Sequence, residues 1–318
     1  MDILSPTINQ MIFLFAFIVL GFILAKIKKL PKEAATILSK LENMIFIPCL
    51  VMGTFIKNFT VSTLSSAWKI LLFSLVLEIA IIFITIPICK LCAKDRFTQK
   101  IYTYGLGFGN FGFMGNAIVL AIFPLFFTDY IIFTLPLWTL IYVWAVPALL
   151  MDTPEEKTSL KSRLKPLINP MFICMIIGMI IGISGLTLPE KIVEVITVSG
   201  DCMSPIAMLL TGITLGSISL SGTLKRKSIY VVTVLRLLVY PLVALGIFAL
   251  LSIWFEIPAV YVVCTVCALA MPLGLNTIVV PAAYGKDTST AAGMALVSHL
   301  ASIATIPVIF VLLDMILA

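Results

Sequence analysis

The sequence has few charged residues and a single histidine. Of its 318 residues only 11% are Asp, Glu, Lys or Arg, whereas roughly 25% are charged in an ordinary soluble domain. The hydrophobic fraction is 61%. Most of the chain therefore cannot lie in water, and we expect an integral membrane protein whose surroundings are the lipid bilayer of the cell (inner or plasma) membrane.

Several kinds of functional motif are also missing. The sequence contains no Walker motif, no glycine-rich nucleotide loop after a strand, and no Ser/His/Asp arrangement outside the apolar segments. We therefore expect no enzyme, no catalytic residues and no cofactor. Two Cys-x-x-Cys pairs, at Cys89 and Cys264, lie in apolar segments without further ligands, so no metal site is predicted. The net charge of +6 is spread over short clusters between apolar runs, which favours membrane orientation over nucleic-acid binding.

Long apolar runs are what the sequence does contain. Spanning the hydrocarbon takes about 20 apolar residues, and ten runs qualify: 7–25, 40–56, 67–91, 101–123, 130–151, 167–185, 192–216, 228–252, 258–284 and 289–315. The second, fourth and ninth contain Pro or Gly breaks. Lys and Arg concentrate in alternate loops, around 26–32, 90–100, 157–165, 225–227 and 286. Because such loops stay in the cytoplasm, we predict a multi-pass protein with both termini outside.

The chain also shows weak internal similarity at an offset near 158 residues. Pro48 in the second span corresponds to Pro205 in the seventh, and the segment from Met114 resembles the segment from Gly274. We predict a five-helix repeat at 1–151, a cytoplasmic linker at 152–166 and a second repeat at 167–318. Since each half has five spans, the second copy enters the membrane in the opposite orientation. Inverted repeats of this kind are typical of secondary transporters, which open one central site alternately to each side.

The fourth and ninth spans are interrupted at equivalent positions. The fourth carries five glycines and two asparagines between Gly105 and Asn116, and the ninth carries Pro272. A break in a membrane helix directs the positive end of its second half at the gap, which attracts anions. We predict that these breaks bind a small organic carboxylate, although glycines also serve close helix packing. The candidate substrate-binding residues here are Asn110, Gly112, Gly115, Asn116, Pro272, Gly274 and Asn276.

Other polar residues within the spans are candidates because an ionisable group in the membrane is costly. Glu78 and Arg236 are separated by the repeat offset of 158 residues and are predicted to form an ion pair, structural or proton-coupling. Asp201 has no evident basic partner, so it either binds a proton or cation or faces the outer water. Ser298 and His299 lie in a polar cluster at helical spacing that either lines the substrate path or packs as a polar stripe.

The quoted breaks, together with Tyr284-Gly285-Lys286-Asp287, Leu296-Val297-Ser298 and Thr305-Ile306-Pro307, resemble the auxin efflux carrier family of transporters in its bacterial branch. The resemblance implies a bile-acid/sodium symporter-like fold, in which the fourth and ninth helices cross at the midplane. It also implies a scaffold of helices 1, 2, 6 and 7, a transport domain of helices 3–5 and 8–10, elevator-type transport of organic acids, and a homodimer. The sequence departs from the family at Asn116-Ala117, where a proline is usual.

The expected function is thus a secondary active transporter of a small organic anion in an all-α membrane protein. Two alternatives remain open from the sequence. One is a sodium-coupled symporter of the bile-acid type, since the residues do not distinguish proton from sodium coupling. The other is a membrane sensor that binds an organic acid without moving it, although the sequence carries no attached soluble signalling domain.

Overall fold

The computed structural model describes residues 4–31, 33–59, 61–150, 170–217, 223–283 and 286–317. Within these ranges the chain is helical and contains no strand, apart from one isolated antiparallel bridge between Gly109 and Leu273. The predicted linker at 152–166 and the pair Tyr284-Gly285 lie outside the described residues.

We number the main helical segments in chain order. They are α1 Leu4–Lys26, α2 Ala34–Asn58, α3 Val61–Cys92, α4 Arg96–Gly107, α5 Phe111–Ile122, α6 Pro124–Leu150, α7 Pro170–Ser184, α8 Glu190–Ser217, α9 Lys227–Leu251, α10 Ala259–Leu269, α11 Asn276–Ala283 and α12 Ser289–Leu317. In the described part of the chain, seven of these are long and apolar enough to cross a membrane, and α5, α7 and α10 are shorter apolar helices.

The second predicted span is continuous and has no break at its proline. Helix α2 contains a wider π turn at Glu42–Phe46, and Pro48 follows at the start of the next α-helical turn. The π turn thus accommodates a residue that would kink a regular helix.

Helices α1 and α8 lie in direct backbone contact. A Cβ atom added at Gly212 would lie 2.8 Å from the carbonyl carbon of Ile18 and would collide with its oxygen, and one added at Gly21 would lie 2.9 Å from the backbone nitrogen of Ile213. Only glycine allows this approach, which maximises van der Waals contact where lipid supplies no hydrophobic driving force between helices.

Helix α2 packs in the same way against α7 and the first part of α8. Gly178 and Gly182 in α7 face the backbone of Met52 and Phe55, and Gly200 in α8 faces Leu50. These contacts connect α1, α2, α7 and α8 into one closely packed group of helices.

The remaining helices surround the two interrupted ones. Helix α3 packs against α4 and α6, and α12 packs against α9, α10 and α11 as well as α1. The segments at the interruptions, 108–110 and 270–275, are almost entirely buried in this arrangement. Non-helical backbone at membrane depth is tolerated where protein covers it in this way.

Candidate functional site

Two helical interruptions form the centre of the candidate site. Helix α4 ends at Gly107, Phe108 is extended, and α5 begins with a π turn at Phe111–Gly115. In the second half of the chain, α10 ends at Leu269 and α11 begins at Asn276. The fourth and ninth predicted spans therefore each consist of two short helices separated by irregular backbone, as the glycines and Pro272 indicate.

The two interruptions contact each other directly. The backbone N–H of Asn110 donates to the carbonyl of Pro272 at 2.6 Å, next to the bridge between Gly109 and Leu273. Gly274 lies so close that an added Cβ would be 3.3 Å from the Gly109 carbonyl oxygen. Each break thus satisfies backbone groups that the other leaves without a helical partner.

Helix α12 supports both interruptions through two adjacent polar residues. The Ser298 hydroxyl accepts from the backbone N–H of Leu273 at 3.2 Å. His299 lies 2.7 Å through Nδ1 from the Ala295 carbonyl and 3.3 Å through Nε2 from Nδ2 of Asn110. A carbonyl only accepts, so Nδ1 carries the hydrogen and Nε2 of the neutral ring accepts from Asn110. Ser298 and His299 therefore fix the shape of the breaks.

Arg236 binds the carbonyl ends of both interrupted helices. Its guanidinium is 1% exposed and projects from a π turn at Leu235–Val239 in α9. It donates to four carbonyls, those of Leu106 at 2.8 Å, Gly107 at 3.3 Å, Ala268 at 2.8 Å and Met271 at 3.1 Å. These carbonyls end α4 and α10, where the helix dipoles are negative.

The predicted ion pair between Glu78 and Arg236 differs from the observed contacts. Both side chains line one small cavity together with Ser74 and Thr265. However, Oε1 of Glu78 has no hydrogen-bond partner, and Nε, Nη1 and Nη2 of Arg236 all donate to backbone carbonyls. The orphan carbonyls at the two helix ends hold the guanidinium in place of the carboxylate. Glu78 is a nearby countercharge without a direct bond.

A second cavity lies at the opposite ends of the breaks, where α5 and α11 begin. It is small, with room for about one water molecule. Four predicted residues line it: Asn110, Gly112, Gly274 and Asn276. Seven further residues line it as well: Tyr104, Gly109, Phe111, Phe113, Trp138, Ile141 and Leu275. We call this space the N-terminal cavity, because the positive ends of two half-helices meet there.

The side-chain amides in the N-terminal cavity are already partly engaged. Asn276 donates through Nδ2 to the Tyr104 hydroxyl at 3.1 Å, and Asn110 donates to His299. An amide nitrogen carries two hydrogens, so each side chain retains a second donor. The buried Oδ1 of Asn110 has no hydrogen-bond partner.

Comparison with known protein families shows to which family the chain belongs. The profile of the family described as "Membrane transport protein" matches residues 6–310, which is nearly the whole chain. The chain belongs to the auxin efflux carrier family. Comparison with curated proteins finds no match. This family is a family of transporters and not of enzymes, and its members are multi-pass membrane proteins, in agreement with the apolar helices.

Five of the predicted substrate-binding residues of this transporter do not line the N-terminal cavity. Pro272 contributes a carbonyl to the crossing, and Ser298 and His299 support it from α12. Gly115 lies beneath the Tyr130 hydroxyl, where an added Cβ would collide. Asn116 is 4% exposed within α5, and its Oδ1 has no hydrogen-bond partner. These residues shape the transporter's breaks from behind the cavity.

Asp201 lies apart from both cavities. It is exposed, and it precedes a turn at Cys202 that interrupts α8. Of the two alternatives for this residue, exposure favours a solvated or interfacial carboxylate over a partner of the buried site.

Sequence reasoning missed the aromatic lining of the transporter's cavity. Trp138 packs edge-on against Phe111, with ring centroids 5.1 Å apart. An added Cβ at Gly112 would lie 2.9 Å from a carbon of the Trp138 ring. The run of glycines signals that something bulky approaches the fourth span. It does not say which of the chain's four tryptophans does so.

Proposed function

We propose that this chain is a secondary active transporter that binds a small organic carboxylate in the N-terminal cavity. The observation that carries the proposal is that two half-helices, α5 and α11, direct their N-terminal ends into one small cavity. Each such end is equivalent to about half a positive charge. In α11 the N–H groups of Thr277 and Ile278 already donate to the carbonyls of Gly274 and Leu275, so that end acts through its dipole. Two of them together attract one carboxylate.

The neutral lining of the cavity suits a cargo that must leave again. None of the described residues that line it is Lys or Arg. A permanent cation at this place would form a strong charge-assisted bond with a carboxylate. Amide donors and partial dipole charges bind more weakly, which supports reversible carriage.

The cavity also restricts the kind of organic acid. Only about 20 Å³ of the cavity can hold the centre of a water-sized sphere, which is room for about one water molecule, and this favours a small acid. Aromatic rings of Phe111, Phe113 and Trp138 suit an apolar body. The unpartnered Oδ1 of Asn110 accepts a hydrogen bond, so we propose that the preferred acids carry an O–H or N–H donor near the carboxylate.

The transport cycle is proposed to be of the elevator type. Ten membrane spans form two inverted five-helix repeats, 1–151 and 167–318. The glycine-mediated packing of α1, α2, α7 and α8 supports their role as the scaffold, which corresponds to predicted helices 1, 2, 6 and 7. Helices 3–5 and 8–10 would carry the crossing. Two breaks at matched positions support alternating access of one site.

The orientation, coupling and assembly complete the proposal. The basic loops support a cell membrane protein with both termini outside. Transport of an anion against its gradient needs a coupling ion, proton or sodium. The homodimer rests on membership of the family.

Substitution of Asn276 tests the anion site. Asn276→Leu keeps the approximate size and removes an amide donor. Because an unmade hydrogen bond to a charged group costs about 1.5 to 3 kcal/mol, binding should weaken at least about tenfold. A thermal-shift screen of small mono- and dicarboxylates on the purified protein finds the ligand. Isothermal calorimetry then measures its affinity for the parent and the variant.

A matched control and a flux assay separate this role from general damage. Asn58→Leu changes an exposed asparagine at the end of α2, whose amide bonds within its own helix to Thr54. Its affinity should equal that of the parent. If Asn276→Leu melts lower but binds with unchanged affinity, Asn276 is structural and the site is wrong. Ligand binding without any flux in proteoliposomes would favour the membrane sensor.

A further inference from the structure

The carbonyl cluster around Arg236 has the chemistry of a monovalent cation site. Four backbone oxygens, at the C-terminal ends of α4 and α10, converge on one buried positive group. In secondary carriers built on broken helices, unwound carbonyls and half-helix C-terminal ends coordinate the coupling Na⁺ or H⁺. Here the group that they bind is a side chain of the protein itself.

We propose that the Arg236 guanidinium occupies the position of a coupling cation, so that the crossing of this carrier is permanently filled and does not bind Na⁺. The inference rests on the proposed carrier function and concerns the opposite ends of the breaks from the anion cavity. A guanidinium at this position leaves no place there for the Na⁺ that the sodium-coupled alternative needs.

The contacts of Arg236 distinguish a cation site from an ordinary buried ion pair. A paired arginine places its donors on a carboxylate in fork geometry. The donors of Arg236 instead go to carbonyls from both breaks, and Oε1 of Glu78 stays without a hydrogen bond. Glu78 lines the same cavity and supplies the compensating charge.

The backbone around Arg236 is shaped for the guanidinium. An added Cβ at Gly109 would lie 2.9 Å from Cζ of Arg236, so glycine is required at this position. Removing the side chain beyond Cβ would leave the carbonyls of Leu106, Gly107, Ala268 and Met271 buried without their donor. Buried carbonyls at two negative helix ends would then attract a small cation from solution.

Replacement of Arg236 by alanine tests whether a free cation binds to the carbonyls when the guanidinium of the protein is removed. The apparent melting temperature of the purified protein is measured without organic acid in NaCl, KCl or choline chloride at equal ionic strength. We expect the parent to melt at the same temperature in all three salts. Arg236→Ala should melt lower in choline chloride. It should recover by about 3 °C in NaCl at ten times the dissociation constant.

Guanidinium chloride at tens of millimolar provides a second probe, because it resupplies the missing group. It should raise the melting temperature of Arg236→Ala and not that of the parent. A purely structural arginine would give a variant that none of these cations stabilises, and that result would overturn the proposal. Stabilisation of the parent by NaCl over choline chloride would also overturn it.

Arg236→Lys covers the case in which the alanine variant does not fold in any salt. Its ammonium keeps a tethered cation near the carbonyls, so it should melt below the parent yet remain indifferent to NaCl. A NaCl response in Arg236→Lys would contradict the proposal. Because no organic acid is present, these outcomes are independent of the anion site, whose failure would instead appear as unchanged affinity in Asn276→Leu.

Discussion

Gly109→Ala is the most direct test of the crossing. The added methyl group would lie 2.9 Å from Cζ of Arg236, which is too close for a real contact, and 3.0 Å from the Met271 carbonyl oxygen, which is closer than most real contacts. The guanidinium must therefore move, and we expect it to lose at least two of its hydrogen bonds. Since hydrogen bonds to charged groups contribute about 1.5 to 3 kcal/mol each, the variant should lose at least about 3 kcal/mol of stability.

The expected loss is large enough to measure in detergent. At about 2 to 4 °C per kcal/mol, Gly109→Ala should lower the apparent melting temperature by at least about 6 °C. Gly246→Ala is the matched control, because Gly246 is exposed within α9 and an added Cβ there meets nothing within 4 Å. Alanine is favoured over glycine in a helix by about 1 kcal/mol, so this control should melt at the parent's temperature or above. If Gly109→Ala melted within a degree of the parent, the contact between Gly109 and Arg236 would be wrong.

The other predictions concern topology and helix capping. In a cysteine-free background, Lys225→Cys should react with an impermeant thiol reagent only from the cytoplasm and Glu256→Cys only from outside, and reaction from one shared side would reject the orientation. Asp95 caps α4 by accepting from the Thr98 N–H at 2.7 Å, so Asp95→Ala should lower stability by about 1 kcal/mol. Burial raises the pKa of Asp95, but the hydrogen bonds from Thr98 and from its own backbone N–H, together with the charge of Arg226, hold that pKa below its usual value. The cap's contribution is therefore present above the unfolded pKa and is lost as pH falls through the folded one, and parent and variant should converge in acid. A difference that stayed constant down to acid would contradict the cap.

The sequence reveals the breaks because their local chemistry is strong. The glycines near Asn110 and the proline at 272 disfavour helix wherever they occur, so α4 and α10 end near the expected positions. Pro48 shows the limit of this reasoning. A π turn upstream of it keeps α2 continuous. The width of a helical turn depends on the packing around it and cannot be predicted from the proline alone.

The partners of the buried charges could not be predicted in the same way. The offset of 158 residues predicts that Glu78 and Arg236 approach each other, and in the structure both line one cavity. It gave no information on competition from backbone carbonyls, which appear as acceptors only once the helices have ended. The sequence also leaves open whether His299 lines the substrate path or packs in a polar stripe, and in the structure its ring lies against the amide of Asn110.

The mutual hydrogen bonding of the breaks has a mechanical consequence. The backbone N–H of Asn110 donates to Pro272, and that of Leu273 donates to Ser298. The Arg236 guanidinium donates to carbonyls of both breaks, at Leu106 and Ala268. Sliding one interrupted helix past the other would leave several buried donors and acceptors without hydrogen-bond partners at once, each at a cost of about 1 to 3 kcal/mol. Movement of one break relative to the other is therefore costly in free energy. A conformational change that moves one break must also move the other break, helix α9 and helix α12, and the four move together as one rigid body.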